Sequence, residues 1–379
     1  MSPWRELAAA LADELVRLDK LRSPEWIAAV RTVPRHELVP VHYRYDEATG
    51  SWTRHPTSDD LPLVYSNTAL FVLPGGRSST SMPGLMTRML ESLDLDDDQD
   101  VLEIGTGTGY NVGLLAHRLG DQHVTSVDIE TDLVELARRR LARLGYAPTL
   151  VAADGVTGHA AGAPYHRIIV TCSVHAVPWA WIEQLRPAGL LLVDLKLGPL
   201  AGNLVLLRRD GDRAQGRFDP TYASFMPMRH AAVPGTPATS RPGSGPVHER
   251  TTDLDLPHPW EHGVVWFLAH HAFPAGTRFS LCPDDDGSQV PRHTVLAAPD
   301  GSWCQVDADP VATGVRRVRE AGTHRLWSLV EGAHRRWVQL GRPGWERFGY
   351  TATHDKQWTW LDDPANPLQN VSGAAGAAQ

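Results

Sequence analysis

A glycine-rich loop is the clearest sign of a ligand site in this sequence. Residues 102–109 read Leu-Glu-Ile-Gly-Thr-Gly-Thr-Gly. Glycine lets a ligand approach the backbone closely, and a helix that begins after such a loop offers free N–H groups. In the dinucleotide-binding pattern Gly-x-Gly-x-x-Gly the third glycine stands one position later, which argues against a nicotinamide-dependent dehydrogenase. The alternative to a ligand site is that these glycines only form a tight strand-to-helix turn in another α/β protein.

Two acidic residues follow this loop at positions suited to binding a nucleoside. Asp128 ends the second predicted strand, 19 residues after Gly109, where a carboxylate can accept both hydroxyls of a ribose. Asp154, followed by Gly155, ends the third predicted strand, where a carboxylate can accept an adenine amino group. The loop and both carboxylates therefore predict one site at the carboxyl ends of the strands.

Predicted strands and helices alternate around these residues, from Val101 to Leu195. Short apolar runs predict strands starting near positions 101, 123, 149, 167 and 190, and helical spacing predicts helices between them. This alternation predicts an α/β fold with a parallel, doubly wound sheet covered on both faces. Upstream, two helices are predicted from Pro3 and Pro24, and residues 46–60 are predicted to be a surface loop.

The composition changes after residue 230. Residues 234–246 contain four Pro, three Gly and two Ser, which is typical of a linker. Residues 253–364 hold eight of the thirteen tryptophans and several turn-rich segments, which predicts a smaller α+β or mostly-β domain. These tryptophans could form a core or a peptide-binding surface. We expect five segments: an N-terminal part (1–100), the ligand-binding core (101–230), a linker (231–252), the C-terminal domain (253–364) and a tail (365–379).

The overall composition excludes several classes of protein. Lys and Arg number 36 against 44 Asp and Glu, so the formal net charge of −8 argues against binding to nucleic acid or a membrane surface. No apolar run reaches the roughly 18 residues that a membrane span needs. Three widely spaced cysteines and isolated histidines predict neither a disulfide framework nor a metal site. We therefore expect a cytoplasmic protein without a metal.

The loop and its carboxylates resemble the S-adenosylmethionine (SAM) site of class I methyltransferases. The resemblance implies that Glu103 lies beside the charged methionine end of SAM, although it could instead be a buried polar residue satisfied by backbone amides. It implies S-adenosylhomocysteine (SAH) as the other product. The implied cofactor-binding residues are Ser79, Thr80, Ser81, Glu103, Gly105, Thr106, Gly107, Gly109, Asp128, Ile129, Asp154, Gly155 and Thr171.

Three further segments resemble the protein-L-isoaspartate O-methyltransferase family. They are Val-Pro-Arg-His-Glu-Leu-Val-Pro at 33–40, Ser-Ser-Thr-Ser-Met-Pro at 78–83 and Ala-Pro-Tyr-His-Arg-Ile-Ile-Val at 163–170. His166 stands where the family usually has Asp. The resemblance places Ser81 at the family's active-site serine, where its hydroxyl would orient a carboxylate. Ser81 could also cap the helix that begins near Pro83.

The resemblance covers about residues 5–230, and the chain continues well beyond the usual repair enzyme. The extended form, with the loop at 171–178, resembles actinobacterial methyltransferases that accompany ATP-grasp peptide ligases (graspetide maturation) or lanthipeptide synthetases. It implies methylation of an Asp side chain in a ribosomally made, macrocyclised peptide, leading to aspartimide or isoaspartate. The alternative is repair of isoaspartyl sites in damaged proteins.

Of the three candidate substrate-binding residues, the first comes from the resemblance and the other two from their position at the carboxyl end of the fourth predicted strand, where ligands bind in such sheets. They are Ser81, Cys172 and His175. His175 could contact the peptide or be an ordinary loop histidine, and Cys172 is expected to be a small buried residue rather than a reactive thiol. Removal of the C-terminal domain is expected to spare SAM binding and to abolish binding of the substrate.

Overall fold

The computed structural model describes six stretches of the chain. They are residues 3–46, 49–198, 201–230, 246–254, 262–283 and 291–371. Residues 231–245 of the predicted linker and 372–379 of the predicted tail lie outside the described residues. The other parts of both segments include strands, described below.

Ten α-helices occur in the described residues. In chain order they are α1 (Pro3–Arg17), α2 (Pro24–Thr32), α3 (Arg35–Leu38), α4 (Leu61–Val64), α5 (Pro83–Ser92), α6 (Tyr110–Leu119), α7 (Thr131–Arg143), α8 (Trp179–Glu183), α9 (Gly263–His270) and α10 (Leu326–Gln339). Across these segments of the structure, no helix is long and apolar enough to cross a membrane.

Nineteen strands occur in the same residues. They are β1 (Val41–Asp46), β2 (Ser51–Pro56), β3 (Leu70–Phe71), β4 (Ser79–Thr80), β5 (Val101–Ile104), β6 (Val124–Asp128), β7 (Thr149–Ala152), β8 (Tyr165–Val174), β9 (Leu185–Gly198), β10 (Ala201–Asp210), β11 (Arg213–Phe218), β12 (His248–Thr252), β13 (Arg278–Pro283), β14 (Pro291–Ala297), β15 (Trp303–Asp307), β16 (Arg316–Ala321), β17 (Phe348–Thr353), β18 (Gln357–Leu361) and β19 (Pro367–Val371).

A ten-stranded sheet forms the centre of the fold. Its order is β19-β18-β17-β11-β10-β9-β8-β5-β6-β7. The five strands β7, β6, β5, β8 and β9 are parallel to one another. Strand β10 pairs antiparallel with β9, and β11, β17, β18 and β19 continue the sheet, each antiparallel to the strand before it. The parallel half confirms the predicted doubly wound α/β core, because the helices that connect its strands cover both of its faces.

Each face of the sheet packs on its own apolar core. On one face, buried residues of α1, α2, α5, α6 and α7 pack together. On the other face, buried residues of α8, α9 and α10 form one continuous cluster with the sheet. Phe218 at the end of β11 is a contact point between the two parts of the chain: its ring centroid lies 5.5 Å from that of Phe267 and 5.6 Å from that of Trp345. The C-terminal part therefore shares a core with the ligand-binding part.

The C-terminal part is α+β, but its strands divide between two sheets. Strands β12 to β16 form a separate five-stranded antiparallel sheet in the order β12-β16-β15-β14-β13. Strands β17 to β19 instead join the central sheet, because residues 213–217 of β11 pair with residues 349–353 of β17. Nothing in the local sequence indicates this pairing, since it depends on the register of two strands more than 130 residues apart.

Most described tryptophans of the C-terminal part belong to the core. Five of them have at most 6% of their surface exposed: Trp266, Trp303, Trp327, Trp345 and Trp360. Of the two interpretations open for these residues, the packing favours the core.

The predicted surface loop at residues 46–60 is partly a β-hairpin. Strands β1 and β2 pair antiparallel and join β3 and β4 in a four-stranded sheet of order β2-β1-β3-β4. Residues 51–56 are all exposed or half-buried, because this edge strand has little apolar surface to bury. The short β4 pairs with β3 at the other edge of this sheet and leads directly into Ser81.

Candidate functional site

A cavity of about 700 Å³ opens at the carboxyl edge of the parallel strands. This is where ligands bind in open α/β sheets, and its volume suits a nucleoside-sized ligand together with part of a second molecule. Most of its lining residues fall in three groups: the carboxyl ends of β5, β6 and β8 with the loops after β5 and β6, residues within the segment 77–88, and the segment 221–229. The cavity therefore joins the predicted SAM site to the predicted active-site serine.

The glycine loop has the backbone conformation that the sequence predicts. The φ angles of Gly105, Gly107 and Gly109 are 106°, 52° and 85°, in a region that side chains disfavour. A Cβ on Gly105 would collide with the hydroxyl of Thr171. That hydroxyl donates to the carbonyl oxygens of Ile104, at 3.1 Å, and Gly105, at 2.9 Å. Thr171, on the neighbouring strand β8, therefore holds the start of the loop in place.

Asp128 connects the glycine loop to the loop after β6. Its Oδ2 accepts a hydrogen bond of 2.9 Å from the N–H of Gly107, and its Oδ1 accepts one of 2.9 Å from the N–H of Glu130. Each carboxylate oxygen has a further lone pair, and the side chain lines the cavity. The carboxylate is thus held rigidly with capacity left for two hydroxyl groups.

Glu103 is fully buried beneath the loop and also lines the cavity. Its Oε1 accepts a hydrogen bond of 2.7 Å from Asn111 Nδ2, and its Oε2 accepts one of 2.6 Å from Ser126 Oγ. Burial raises the pKa of Glu103 to about 7, and the two hydrogen bonds oppose that rise. Its partners are therefore side chains and not the backbone amides of the alternative interpretation.

Ser81 lines the cavity just after β4. The side chain of Arg35 is fully buried and holds this segment from behind, with Nη2 donating a hydrogen bond of 3.3 Å to the carbonyl of Ser81. Arg35 also donates to the carbonyls of Val64, Ser66 and Thr68. Met82, not Ser81, occupies the N-cap position of α5, and no side chain caps that helix. The hydroxyl of Ser81 is thus not used as a helix cap.

The other predicted cofactor residues divide into two groups. Those that line the cavity are Ser79, Thr80, Thr106, Ile129 and Gly155. Gly107 and Gly109 shape the loop without lining the cavity. Asp154 lies outside the lining; its Oδ1 accepts a hydrogen bond of 3.0 Å from Val156 N, and its Oδ2 is 3.2 Å from His230 Nδ1. The adenine contact of Asp154 stays a prediction.

The two remaining candidate substrate residues differ in position. Cys172 lines the cavity, and burial raises the pKa of its thiol well above the usual range, with the nearby charges of Asp128 and Asp194 adding to the rise. His175 is exposed, lies outside the lining, and has its Nδ1 3.2 Å from the carbonyl oxygen of Lys196. The structure thus brings Cys172, but not His175, to the cavity.

In the parts of the chain described here, no three His, Cys, Asp or Glu side chains converge as metal ligands.

Several residues that shape the cavity were not predicted from the sequence. Arg35 belongs to a quoted motif but was given no role, and Asp194 and Lys196 were not singled out. A signal was present for the last two, because a charged pair two positions apart interrupts an apolar run that otherwise predicts a buried strand. The cavity wall at 221–229 has no regular secondary structure and so left no periodic pattern.

A scan against protein-family models decides the family. Residues 7–229 match the model for protein-L-isoaspartate(D-aspartate) O-methyltransferase (PCMT). The chain belongs to the PCMT family. Its members are SAM-dependent carboxyl methyltransferases, so the expected family, enzyme class and cofactor are confirmed.

Curated relatives agree with this assignment. The chain is 33% identical over 246 residues to a protein-L-isoaspartate O-methyltransferase of Hyperthermus butylicus, covering 60% of this chain and 93% of the relative. It is 34% identical over 228 residues to protein-L-isoaspartate O-methyltransferase 1 of Archaeoglobus fulgidus, covering 58% and 94%. Both relatives are matched over nearly their full length.

One solved structure extends the likeness of fold beyond the catalytic part. A protein-L-isoaspartate O-methyltransferase superposes with a TM-score of 0.54 at 23% identity, covering 95% of this chain and 100% of that chain. The predicted class I methyltransferase fold with a C-terminal addition is confirmed.

SAM fits the residues of the cavity. The glycine backbone leaves room for close approach, Asp128 has capacity for ribose hydroxyls, and Glu103 can face a cation once it is ionised.

Affinity for SAM is expected to rise roughly tenfold between pH 6 and pH 8, because the ionised fraction of a carboxyl with a pKa of about 7 rises over that interval from about a tenth to about nine tenths. In the position that the resemblance implies for Glu103, only its ionised form would attract the cationic methionine end of SAM. The variant Glu103→Gln keeps hydrogen-bonding groups for Asn111 and Ser126 and should lose this pH dependence. Calorimetric titration with SAM at both pH values measures it, and an equal slope in both proteins would contradict the assignment.

Proposed function

We propose that the protein methylates an Asp side-chain carboxylate in a ribosomally made, macrocyclised peptide, with SAM as the methyl donor. The observation that carries the proposal is the single cavity that joins Asp128, Glu103 and the glycine loop to Ser81. The cofactor and the acceptor can therefore meet in one cavity. The choice of acceptor rests on the resemblance of residues 171–178 and of the extended chain to peptide-modifying methyltransferases.

A carboxylate needs little activation for this reaction. With an ordinary pKa near 4 it is already ionised at pH 7, so no general base is required. When bound, SAM supplies a methyl group on a positively charged sulfur: the bond from the carboxylate oxygen to the methyl carbon forms as the carbon–sulfur bond breaks, and SAH leaves. The protein's part is to align the carboxylate and to exclude water. Ser81 can donate its hydroxyl to one carboxylate oxygen and leave the other free to react.

The methyl ester prepares the next step. The backbone amide nitrogen of the following peptide residue attacks the ester carbonyl, loses its proton and expels methanol, which closes the aspartimide ring. Addition of water to the ring then gives isoaspartate or aspartate. This step assigns no proton transfer to a residue of the protein.

The second candidate is methylation of L-isoaspartyl residues in damaged proteins. The names of the curated relatives favour it, since those proteins are called protein-L-isoaspartate O-methyltransferases. The likeness of fold over 95% of the chain to a protein of the same name is compatible with it. Both candidates use the same cavity and differ only in the acceptor. Peptide recognition by residues 253–364 stays a prediction in either case.

Intact mass spectrometry with two acceptors separates the candidates. The protein and SAM are incubated with a synthetic L-isoaspartyl peptide and, in parallel, with a macrocyclised precursor peptide from the same gene neighbourhood. A gain of one methyl group followed by loss of methanol on the macrocyclised peptide alone is the expected result. Methylation of the isoaspartyl peptide alone would overturn the proposal in favour of repair.

Ser81→Ala should separate catalysis from cofactor binding. Loss of one hydrogen bond to a charged acceptor costs about 1.5–3 kcal/mol, so we expect methylation to slow by about 10- to 150-fold. Affinity for SAH should stay within about twofold, because Ser81 would act on the acceptor. Rates are measured by mass spectrometry and affinity by calorimetry. Ser92→Ala, at the outer end of α5, serves as the control, and an unchanged rate in Ser81→Ala would remove the serine from the mechanism.

A further inference from the structure

One wall of the cavity is a segment without regular secondary structure. Every residue from Thr221 to Arg229, here called the wall segment, lines the cavity. It follows β11 and crosses the carboxyl ends of β8 and β9. Because a segment without its own ladder of hydrogen bonds is not rigid by itself, its position depends on what the rest of the protein supplies.

A buried ion pair on β9 lies directly behind this segment. Asp194 and Lys196 point to the same face of the strand, are 0% and 8% exposed, and have their Oδ1 and Nζ 3.1 Å apart. Burial raises the pKa of Asp194 and lowers that of Lys196, and the attraction within the pair opposes both shifts. A buried ion pair is rarely more stabilising than apolar residues of similar size. Its other contacts therefore indicate what it does.

Those contacts go to the first half of the wall segment. Lys196 Nζ donates a hydrogen bond of 2.9 Å to the carbonyl of Ala223 and lies 4.7 Å from the centre of the Tyr222 ring. Asp194 Oδ2 accepts a hydrogen bond of 2.8 Å from the N–H of Phe225. The two charges thus hold three of four consecutive residues, 222 to 225. Lys196 Nζ also donates a bond of 3.0 Å to the carbonyl of Gly202, which ties the ammonium to the neighbouring strand.

The second half of the wall segment is held in a different way. The N–H of Ser173 donates a bond of 2.8 Å to the carbonyl of Met226, and the N–H of Met228 donates one of 2.8 Å to the carbonyl of Ser173. Ser173 follows Thr171 and Cys172, which lie on the cofactor side of the cavity. Backbone pairing to β8 therefore places the cofactor half of the wall independently of the ion pair.

The first half adjoins a different side of the cavity. Thr221, where the wall segment begins, has its carbonyl 2.9 Å from Arg88 Nη1. Arg88 lies on α5, the helix that begins directly after Ser81 and Met82. Residues 222–225 are thus attached near the acceptor side, where the peptide would lie beside the serine.

We propose that Asp194 and Lys196 are positioning residues that hold residues 222–225 in place as the wall against which the peptide acceptor binds. This role rests on the proposed function, because it assigns the ion pair to the acceptor and not to SAM. The pair keeps the acceptor half of the cavity in shape while β8 keeps the cofactor half.

A double variant tests this role without leaving a buried charge unpaired. Asp194→Val with Lys196→Met removes both charges and both bonds to the wall segment, and apolar replacement of a buried pair generally preserves the fold. Asp194→Asn with Lys196→Met also removes both charges but retains an acceptor for the N–H of Phe225. Val306→Ala, buried in β15, controls for a general loss of stability.

Three quantities are measured on the full-length variants: KM for the peptide, affinity for SAH, and hydrogen–deuterium exchange at residues 222–225. In the first double variant we expect KM for the methylated peptide to rise about tenfold through misplacement of the acceptor, with kcat less affected. Affinity for SAH, measured by calorimetry, should stay within about twofold. Hydrogen–deuterium exchange at residues 222–225 should become faster, and the Asn-containing variant should recover part of this protection.

The last two readings need no acceptor, so they keep their meaning even if neither peptide is methylated. Unchanged exchange at 222–225 in a folded double variant would overturn the proposal. An SAH affinity that falls as far as KM rises would also overturn it, since the pair would then act on the whole cavity. The same rise in KM in Val306→Ala would reduce the effect to general stability.

Discussion

A chain that ends at residue 245 is expected to lose the methyltransferase fold, not only the binding of its peptide. The sequence alone favours a separable C-terminal domain, but the structure leads to a different expectation. Truncation would expose Phe218 and the face of the central sheet that packs on α9, and would leave β11 with an unpaired edge. The apolar surface exposed in this way belongs to a core that both parts share, and the net stability of a domain is only about 5–15 kcal/mol.

Circular dichroism and thermal unfolding measure this outcome. The truncated chain should show no cooperative transition and should bind a hydrophobic dye, as expected for exposed apolar surface. A chain that ends at residue 371 retains every described strand and serves as the control. Cooperative unfolding of the shorter chain with full affinity for SAH would contradict the shared core and restore the separable domain.

Asp128→Ala should weaken SAM binding by about 100-fold or more. The carboxylate is proposed to accept two ribose hydroxyls, and hydrogen bonds to a charged group contribute about 1.5–3 kcal/mol each. The same substitution removes the bond from Gly107 N that fixes the glycine loop. Both losses act on cofactor affinity, and neither touches the acceptor half of the cavity.

Calorimetry with SAH on the folded variant provides the measurement. Asp132→Ala removes an exposed carboxylate four residues further on, in the first turn of α7, and should leave affinity unchanged. Asp128→Asn retains one acceptor oxygen and should fall between the two. If Asp128→Ala binds SAH as tightly as the unaltered protein, the ribose contact is assigned to the wrong residue.

The parallel half of the sheet could be predicted from sequence because its signals are local. Helix α6 lies between β5 and β6 and α7 between β6 and β7, as the alternation predicts, and Asp128 ends β6 as expected. A short apolar strand, a glycine loop and an amphipathic helix each depend on neighbouring residues only. The resemblance added Ser81, which no local pattern would have selected.

The antiparallel half could not be predicted in the same way. Pairing of β11 with β17 joins segments separated by the whole five-stranded sheet, and its register follows from packing on a shared core. The contacts of Arg35, Asp194 and Lys196 also join segments that are distant in the sequence. Each reaches backbone carbonyls or amides of an irregular segment, which have no sequence signature of their own.

The most direct test of the account is the chemical nature of the transferred methyl group. The protein is incubated with SAM carrying a radiolabelled methyl group and with each peptide acceptor, and the labelled peptide is then treated with mild base. A carboxyl methyl ester releases its label as volatile methanol, which is the result predicted here. A label that stays on the peptide through base treatment would mean transfer to nitrogen or carbon, and would contradict a carboxylate acceptor beside Ser81.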